Sequence, residues 1–148
     1  MKIAILAAGG KNWNRREIFI DGENILGRIR RQLLLKAKDT REDEIFLSIG
    51  PDDPEVPGFN VVRNPLTGND LGCLYGIKDH GFDLFIFGDV YFTDEAIDSI
   101  LSGETEFYGR TKPGQTKNYG EMFAIKGTAR LMQTLDRMWK EYESGIRK

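Results

Sequence analysis

Short runs of consecutive apolar residues alternate along this chain with longer segments in which apolar residues recur every three or four positions. The clearest runs lie at 3–6, 44–49 and 83–87. Because apolar residues follow one another there instead of alternating with polar ones, we predict strands that are buried on both faces. Shorter strands are predicted at 18–20, 60–63, 106–108 and 122–125.

The segments between the strands have helical periodicity. In the segment 24–38, Ile25, Ile29 and Leu33 recur every four residues, so they lie on one face of an amphipathic helix. The arginines of this segment fall mostly on the other side, and we interpret them as a solvated helix face. A short helix is predicted at 71–79, ending before Gly81, and another from an N-cap at Thr93 through Leu101. A last helix is predicted after an N-cap at Thr128, and one face of it carries Leu131, Leu135, Met138 and Tyr142.

Alternating strands and helices with doubly buried strands are typical of an α/β fold. We expect a single domain over 1–148, built as a three-layer α/β/α sandwich with a mostly parallel central sheet and the first strand inside it. Ligands of such sheets bind at the carboxyl ends of the strands. The segments 7–10 and 88–90, which follow two of the apolar runs, are therefore the first places to look for a site.

Composition excludes several classes of function. The net charge of −2 gives no general attraction to nucleic acid or to an anionic membrane, so neither is expected as a partner. Cys73 and His80 are the only residues of their types, which rules out a disulfide within the chain and disfavours a zinc site. With no leader sequence and no apolar run of about 20 residues, we expect a cytoplasmic protein.

The end of the first strand is rich in small residues. Ala7, Ala8, Gly9 and Gly10 would allow a backbone or a ligand to approach closely, and the cations Lys11, Arg15 and Arg16 follow them. This arrangement suits an anionic ligand, although a tight turn with solvated charges is the alternative. The segment matches neither the P-loop pattern nor the dinucleotide-binding G-x-G-x-x-G pattern.

The strand at 83–87 ends in Gly88 and Asp89. A carboxylate at the carboxyl end of a buried strand is placed to bind a hard cation such as Mg²⁺. Asp also caps turns and helices, so the alternative is that Asp89 has only that role.

In order, the segments IAILAAGG, FIDGENILGRIRRQLL, RNPLTGNDLGCLYGI, DLFIFGDVYFTDEAIDSIL, TKPG and YGEMFAIKG resemble one enzyme family. It comprises the sugar-nucleotide and choline-phosphate nucleotidyltransferases, which have the GT-A-like, nucleotide-diphospho-sugar transferase fold. The resemblance covers about residues 1 to 127. It implies an enzyme of nucleotide-sugar biosynthesis or a related pathway. Such an enzyme transfers NMP from an NTP to a sugar phosphate or phospho-alcohol, depends on Mg²⁺ and releases pyrophosphate.

The resemblance also implies roles for individual residues on the nucleotide side. Leu6, Ala7, Ala8 and Gly9 match the segment that reads the base, and Gly10 and Lys11 match the start of the phosphate loop. Arg15 stands about where the family has its catalytic lysine, with Arg16 as the neighbouring alternative; these cations and Lys11 would bind the β- and γ-phosphates. Asp89 matches the Mg²⁺ ligand, and Asn64 and Asn69 match asparagines of the choline-phosphate type.

On the acceptor side, Lys112 with Pro113 resembles the Lys-Pro of an E-K-P segment. Gly120 resembles the glycine of the following sugar-side strand, with Glu121 as its neighbour. The family's glutamate in that segment is replaced here by Thr111.

Three alternatives on related architectures stay open. A GT-A glycosyltransferase would have a D-x-D pair, where this chain has Asp89 followed by Val90 and Tyr91. Because Lys11 and Trp13 replace a glycine and an arginine of the family loop, a non-catalytic nucleotide-binding regulatory domain is also considered. A receiver-type signalling domain would need two acids after the first strand, where the chain has two alanines.

Overall fold

The helices and strands follow the predicted order. The fold is taken from a computed structural model that describes residues 1–8, 18–66, 69–111 and 120–145. Its elements are β1 (Ile3–Leu6), β2 (Phe19–Ile20), β3 (Glu23–Asn24), α1 (Ile25–Lys36), β4 (Ile45–Ile49), β5 (Asn60–Arg63), α2 (Asp70–Tyr75), β6 (Leu84–Phe87), α3 (Asp94–Ser102), β7 (Phe107–Thr111), β8 (Gly120–Lys126) and α4 (Ala129–Glu143).

Six of the strands form one sheet in the order β5-β4-β1-β6-β8-β7. The first four of these are parallel to one another, while β8 is antiparallel to both β6 and β7. β1 therefore lies inside the sheet, as its apolar run predicted. The small hairpin of β2 and β3 stands apart as a second, two-stranded sheet.

The sheet has helices on both faces. Ile3 and Ile5 of β1 belong to a core that contains the buried residues of α1 and α3. Ala4 and Leu6 point the other way, into a core that contains buried residues of α2 and α4. Successive residues of a strand face opposite sides, so a continuous apolar run feeds both cores at once. The predicted α/β architecture with a mostly parallel sheet is thereby confirmed for the described residues.

The caps of the helices follow the sequence closely. The side chain of Asn24 accepts from the N–H groups of Leu26 and Gly27, which begins α1. Thr93 and Thr128 are the N-caps of α3 and α4, as predicted. α2 is shorter than the predicted helix, because a turn separates it from a 3₁₀ segment at Lys78–His80. No helix in the described part of the chain is long and apolar enough to cross a membrane.

The hairpin of β7 and β8 is longer than the two apolar runs predicted. Its pairing continues past Arg110 opposite Glu121 to Thr111 opposite Gly120. Backbone ladder bonds between neighbouring strands do not require apolar side chains, so the hairpin continues past the residues that the pattern detects. This extension carries Arg110 and Glu121 beside the end of β6.

Candidate functional site

The carboxyl ends of β1 and β6 lie side by side. In their parallel register Leu6 pairs with Phe87, and the N–H of Gly88 donates to the carbonyl of Leu6 at 2.9 Å. On the other side, the N–H of Ala7 donates to the carbonyl of Ser48 at 2.9 Å. Ala7 and Gly88, the first residues of the two segments that the sequence singled out, thus follow directly on paired strand ends.

Gly88 is needed for this close approach. A Cβ at this position would lie 2.8 Å from the carbonyl oxygen of Leu6 and 2.8 Å from Cδ2 of Leu26 on α1. Contacts that short do not occur without a shift of the neighbours, and here one neighbour is backbone. The glycine therefore lets β6 end tightly against β1 and α1, and it fixes where Asp89 emerges.

A cavity of about 540 Å³ opens at the end of β6. Asp89 lies on its wall together with Asp70 from the start of α2, and Arg110 and Glu121 from the hairpin. Arg110 and Glu121 form an ion pair, with Nε 3.1 Å from Oε2. Among its described lining residues, the cavity thus offers carboxylates and one guanidinium to a polar ligand. Arg110 and Asp70 were not among the site residues predicted from the sequence.

Helix α1 holds the loop that carries Asp89. Nη2 of Arg28 donates to the carbonyl of Phe92 at 3.2 Å, and its guanidinium lies 4.4 Å from the centre of the Tyr91 ring. Nε2 of Gln32 donates to the same carbonyl at 3.0 Å and to Oδ1 of Asp94 at 3.0 Å. These bonds fix the loop after β6 on the surface of α1.

The cations predicted to form a solvated face of α1 also make ion pairs within the fold. Each cation of that face has an acidic partner: Arg28 and Arg31 pair with Glu23, Arg30 with Glu42, and Lys36 with Asp98. Gln32 is only 1% exposed. A buried amide needs hydrogen-bond partners, and Gln32 finds them in the loop after β6.

The contacts of Gln32 change the pKa of Asp94 at the start of α3. The hydrogen bond from Gln32 lowers the pKa of Asp94, and Lys36, Arg28 and Arg31 add to this lowering against the smaller opposing effect of burial. The N-cap of α3 is Thr93, whose hydroxyl accepts from the N–H of Ala96 at 3.1 Å. Asp89 is therefore not the cap of this helix, and its carboxylate lies exposed beside the cavity.

The two predicted nucleotide-binding asparagines have structural contacts. Asn64 is fully buried; its Nδ2 donates to the carbonyls of Gly72 and Cys73, both at 3.1 Å, and its Oδ1 accepts from Leu66 at 2.8 Å. Asn69 is the N-cap of α2 and accepts from the N–H of Gly72 at 2.7 Å. Both side chains shape the start of α2, so contact with a nucleotide stays a prediction for them.

Some of the other predicted site residues are described by the structure and some are not. Leu6 and Ala8 are buried at the end of β1, where the carbonyl of Ala8 accepts from Sγ of Cys73 at 2.6 Å. Ala7 beside them is partly exposed. Gly120 begins β8, directly before Glu121. The predicted residues Gly9, Gly10, Lys11, Arg15, Arg16 and Lys112 lie outside the described residues.

The donor set at the cavity was compared with what Mg²⁺ requires. Among the residues that the structure describes, no three carboxylate, imidazole or thiol groups converge into a ready-made metal site. Mg²⁺ commonly keeps several waters and takes one or two carboxylates together with substrate phosphates. Asp89, an exposed carboxylate on the wall of an open cavity, fits that mode of binding.

Comparisons with family models and with curated proteins returned no match. No family model matches the sequence, and no curated protein matches it significantly. The function is therefore inferred from the geometry of the strand ends and the cavity.

Proposed function

We propose that this chain is a Mg²⁺-dependent nucleotidyltransferase with a GT-A-like fold. It transfers NMP from an NTP to the phosphate of a sugar phosphate or phospho-alcohol and releases pyrophosphate. The observation that carries the proposal is the pairing of β1 with β6, in which Gly88 donates to Leu6 at 2.9 Å. It places the alanines proposed to contact the nucleotide next to the carboxylate proposed to bind its metal.

The nucleotide would lie over the end of β1. Ala7 is partly exposed there and its short side chain would allow close approach, whereas Ala8 is buried. The chain continues from Ala8 into the glycines and then to Lys11, Arg15 and Arg16. In the proposal these cations bind the β- and γ-phosphates, because a guanidinium makes paired bonds to phosphate oxygens.

The reaction asks little covalent chemistry of the protein. An oxygen of the acceptor phosphate attacks the α-phosphorus of the NTP, the bond from that phosphorus to the bridging oxygen breaks, and pyrophosphate leaves. Bound Mg²⁺ would supply charge neutralisation on the phosphate oxygens. The chain's own residues would position the groups: Asp89 would hold the metal, and Arg110, which lines the same cavity, would bind the acceptor phosphate.

Binding of NTPs by titration calorimetry, with and without Mg²⁺, tests the proposal. Replacing Asp89 by Asn should weaken Mg²⁺-dependent NTP binding by about tenfold or more, the scale of losing one bond to a charged group. The matched control is Asp43→Asn, because Asp43 is exposed in the segment that precedes β4, at the amino ends of the parallel strands and away from their carboxyl ends, where the cavity lies. That change should leave binding within about twofold.

Turnover is measured separately as pyrophosphate released in the presence of phosphorylated acceptors. Binding without release of pyrophosphate from any acceptor would favour the regulatory-domain alternative. If no NTP binds, or if Asp89→Asn binds NTP and Mg²⁺ as tightly as the parent, the proposed function is wrong.

A further inference from the structure

A second pocket lies directly behind the cavity, between α3 and the hairpin of β7 and β8. Its volume is about 410 Å³. Val90, Ile100, Phe107 and Phe123 contribute apolar surface to it. No charged and no amide side chain is found among the described residues that line it; the polar groups there are hydroxyls.

A bulge in β8 forms one wall of this pocket. Tyr108 pairs with Ala124 and Gly109 pairs with Met122, so Phe123 has no partner across the hairpin. Phe123 and Ala124 both face the α1 and α3 side of the sheet, whereas Met122 packs on the other side. The extra residue of a bulge breaks the alternation of a strand and redirects side chains. Here it directs an aromatic ring into the space under α3.

The pocket adjoins the cavity that contains Asp89. Val90, Tyr91 and Phe123 line both spaces. The combined depression is charged at one end, where Asp89 and Arg110 lie, and uncharged at the other. A ligand that occupied both ends would carry its charge next to Asp89 and an apolar body under α3.

One buried polar atom at this pocket has no partner. The hydroxyl of Tyr108, which lines the pocket, is buried without a hydrogen-bond partner among the described residues. It lies close to Gly103 at the end of α3, where an added Cβ would be 2.0 Å from it. Buried hydroxyls are normally satisfied, and this one could donate to an acceptor atom or, more weakly, to the face of an aromatic ring of a bound molecule.

We propose that this pocket binds the apolar body of the acceptor. The acceptor is then a phosphate monoester of an aromatic or branched aliphatic alcohol, rather than a hexose phosphate. The described lining offers a hexose only hydroxyl side chains and backbone as partners, with no carboxylate or amide, whereas its aromatic and aliphatic residues suit an apolar body. The description of the bound group as the acceptor rests on the proposed function; the binding of an uncharged apolar group does not.

Benzyl alcohol, which carries no charge, tests the pocket without metal or nucleotide. Titration should shift the methyl resonances of Val90 and Ile100 in the unsubstituted protein, because both residues line the pocket. Ser99 also lines it from α3, so Ser99→Phe should fill the space and weaken binding about tenfold or more. Glu95→Phe, at an exposed position of the same helix away from the pocket, is the control and should stay within about twofold.

The acceptor class is tested with benzyl phosphate and glucose 1-phosphate in the presence of Mg²⁺. Benzyl phosphate should bind at least about tenfold more tightly, and Ser99→Phe should remove this preference. Equal binding of the two phosphates, or benzyl alcohol that leaves the methyl resonances of Val90 and Ile100 unmoved, overturns the inference. NTP titration of the same samples is the separate measurement: if it fails while benzyl alcohol binds, the proposed function is wrong and the apolar pocket stands.

Discussion

Replacement of Asn64 by Ala is expected to be among the most destabilising single changes near the site. Asn64 follows β5 and is fully buried. Its amide donates to two carbonyls of α2, at Gly72 and Cys73, and accepts from the N–H of Leu66. The side chain thus ties the segment after β5 to the helix that brings Asp70 to the cavity.

The loss of stability in Asn64→Ala follows from the backbone groups that lose a hydrogen-bond partner. The carbonyl of Gly72 keeps its hydrogen bond from the N–H of Gly76 at 3.0 Å. The N–H of Leu66 and the carbonyl of Cys73 are therefore the groups left without the partner that Asn64 supplied. A buried group left without its partner costs about 1–3 kcal/mol. We therefore expect Asn64→Ala to lower the free energy of unfolding by about 2–4 kcal/mol.

Urea unfolding followed by circular dichroism measures this change. Asn60→Ala is the matched control, because Asn60 donates to the carbonyl of Glu42 at 3.1 Å from an exposed position. Its loss should cost about 0.5 kcal/mol or less, as is usual for surface changes. If Asn64→Ala unfolds at the same urea concentration as Asn60→Ala, the structural role argued for Asn64 is refuted.

A double-mutant cycle with Gly76 sharpens the test. Gly76 has ordinary helical angles, φ −64° and ψ −19°, which alanine adopts without strain. Its added Cβ would lie 1.7 Å from Oδ1 of Asn64, so Gly76→Ala is harmful only because it displaces that amide. Once Asn64 is alanine, the second change should cost less than it does alone, by about 0.5–3 kcal/mol. Additive costs would show that the two residues do not act through this contact.

Three further predictions concern the loop after β6. Gly88→Ala should lower the free energy of unfolding by about 1–3 kcal/mol, measured in urea, because its Cβ would press on the backbone of β1. Thr93→Ala should cost about 1 kcal/mol by removing the cap of α3, whereas Thr134→Ala, at an exposed site within α4, should change unfolding little. The pKa of Asp94 is lowered from its ordinary value of 3.8, so its carboxylate stabilises the fold at pH values above 3.8. This contribution is lost as the pH falls through the lower pKa of the folded state. Gln32→Leu should therefore flatten the acid side of the stability profile, measured by urea unfolding at a series of pH values, and an unchanged slope would contradict the assignment.

The sheet could be predicted from sequence because its strands need burial on both faces. The runs at 3–6 and 83–87 contain no polar residue between their apolar members, so no other regular structure buries them as well. The caps Thr93 and Thr128 were predictable for a similar reason, since capping is a local property of the chain. In each case the information lies within a few neighbouring residues.

The parts that the sequence missed depend on distant partners. Gln32 reaches the carbonyl of Phe92 across 60 residues, and no local pattern indicates that contact. The bulge at Phe123 was also hidden, because the run of apolar residues at 122–125 fits a regular strand equally well. Asn64 was assigned to a ligand from a resemblance alone, whereas its contacts in the structure are with backbone.

The loop between Gly88 and Phe92 connects the proposed metal end of the site to the proposed acceptor end. It is fixed at one end by the bond from Gly88 to Leu6 and at the other by the bonds from Arg28 and Gln32 to Phe92. Asp89 faces the cavity, and Val90 and Tyr91, which follow it, line both spaces. Two residues of extended chain span at most about 7 Å. The two spaces therefore begin a short distance apart along this loop, which favours a compact monoester over one with a long spacer.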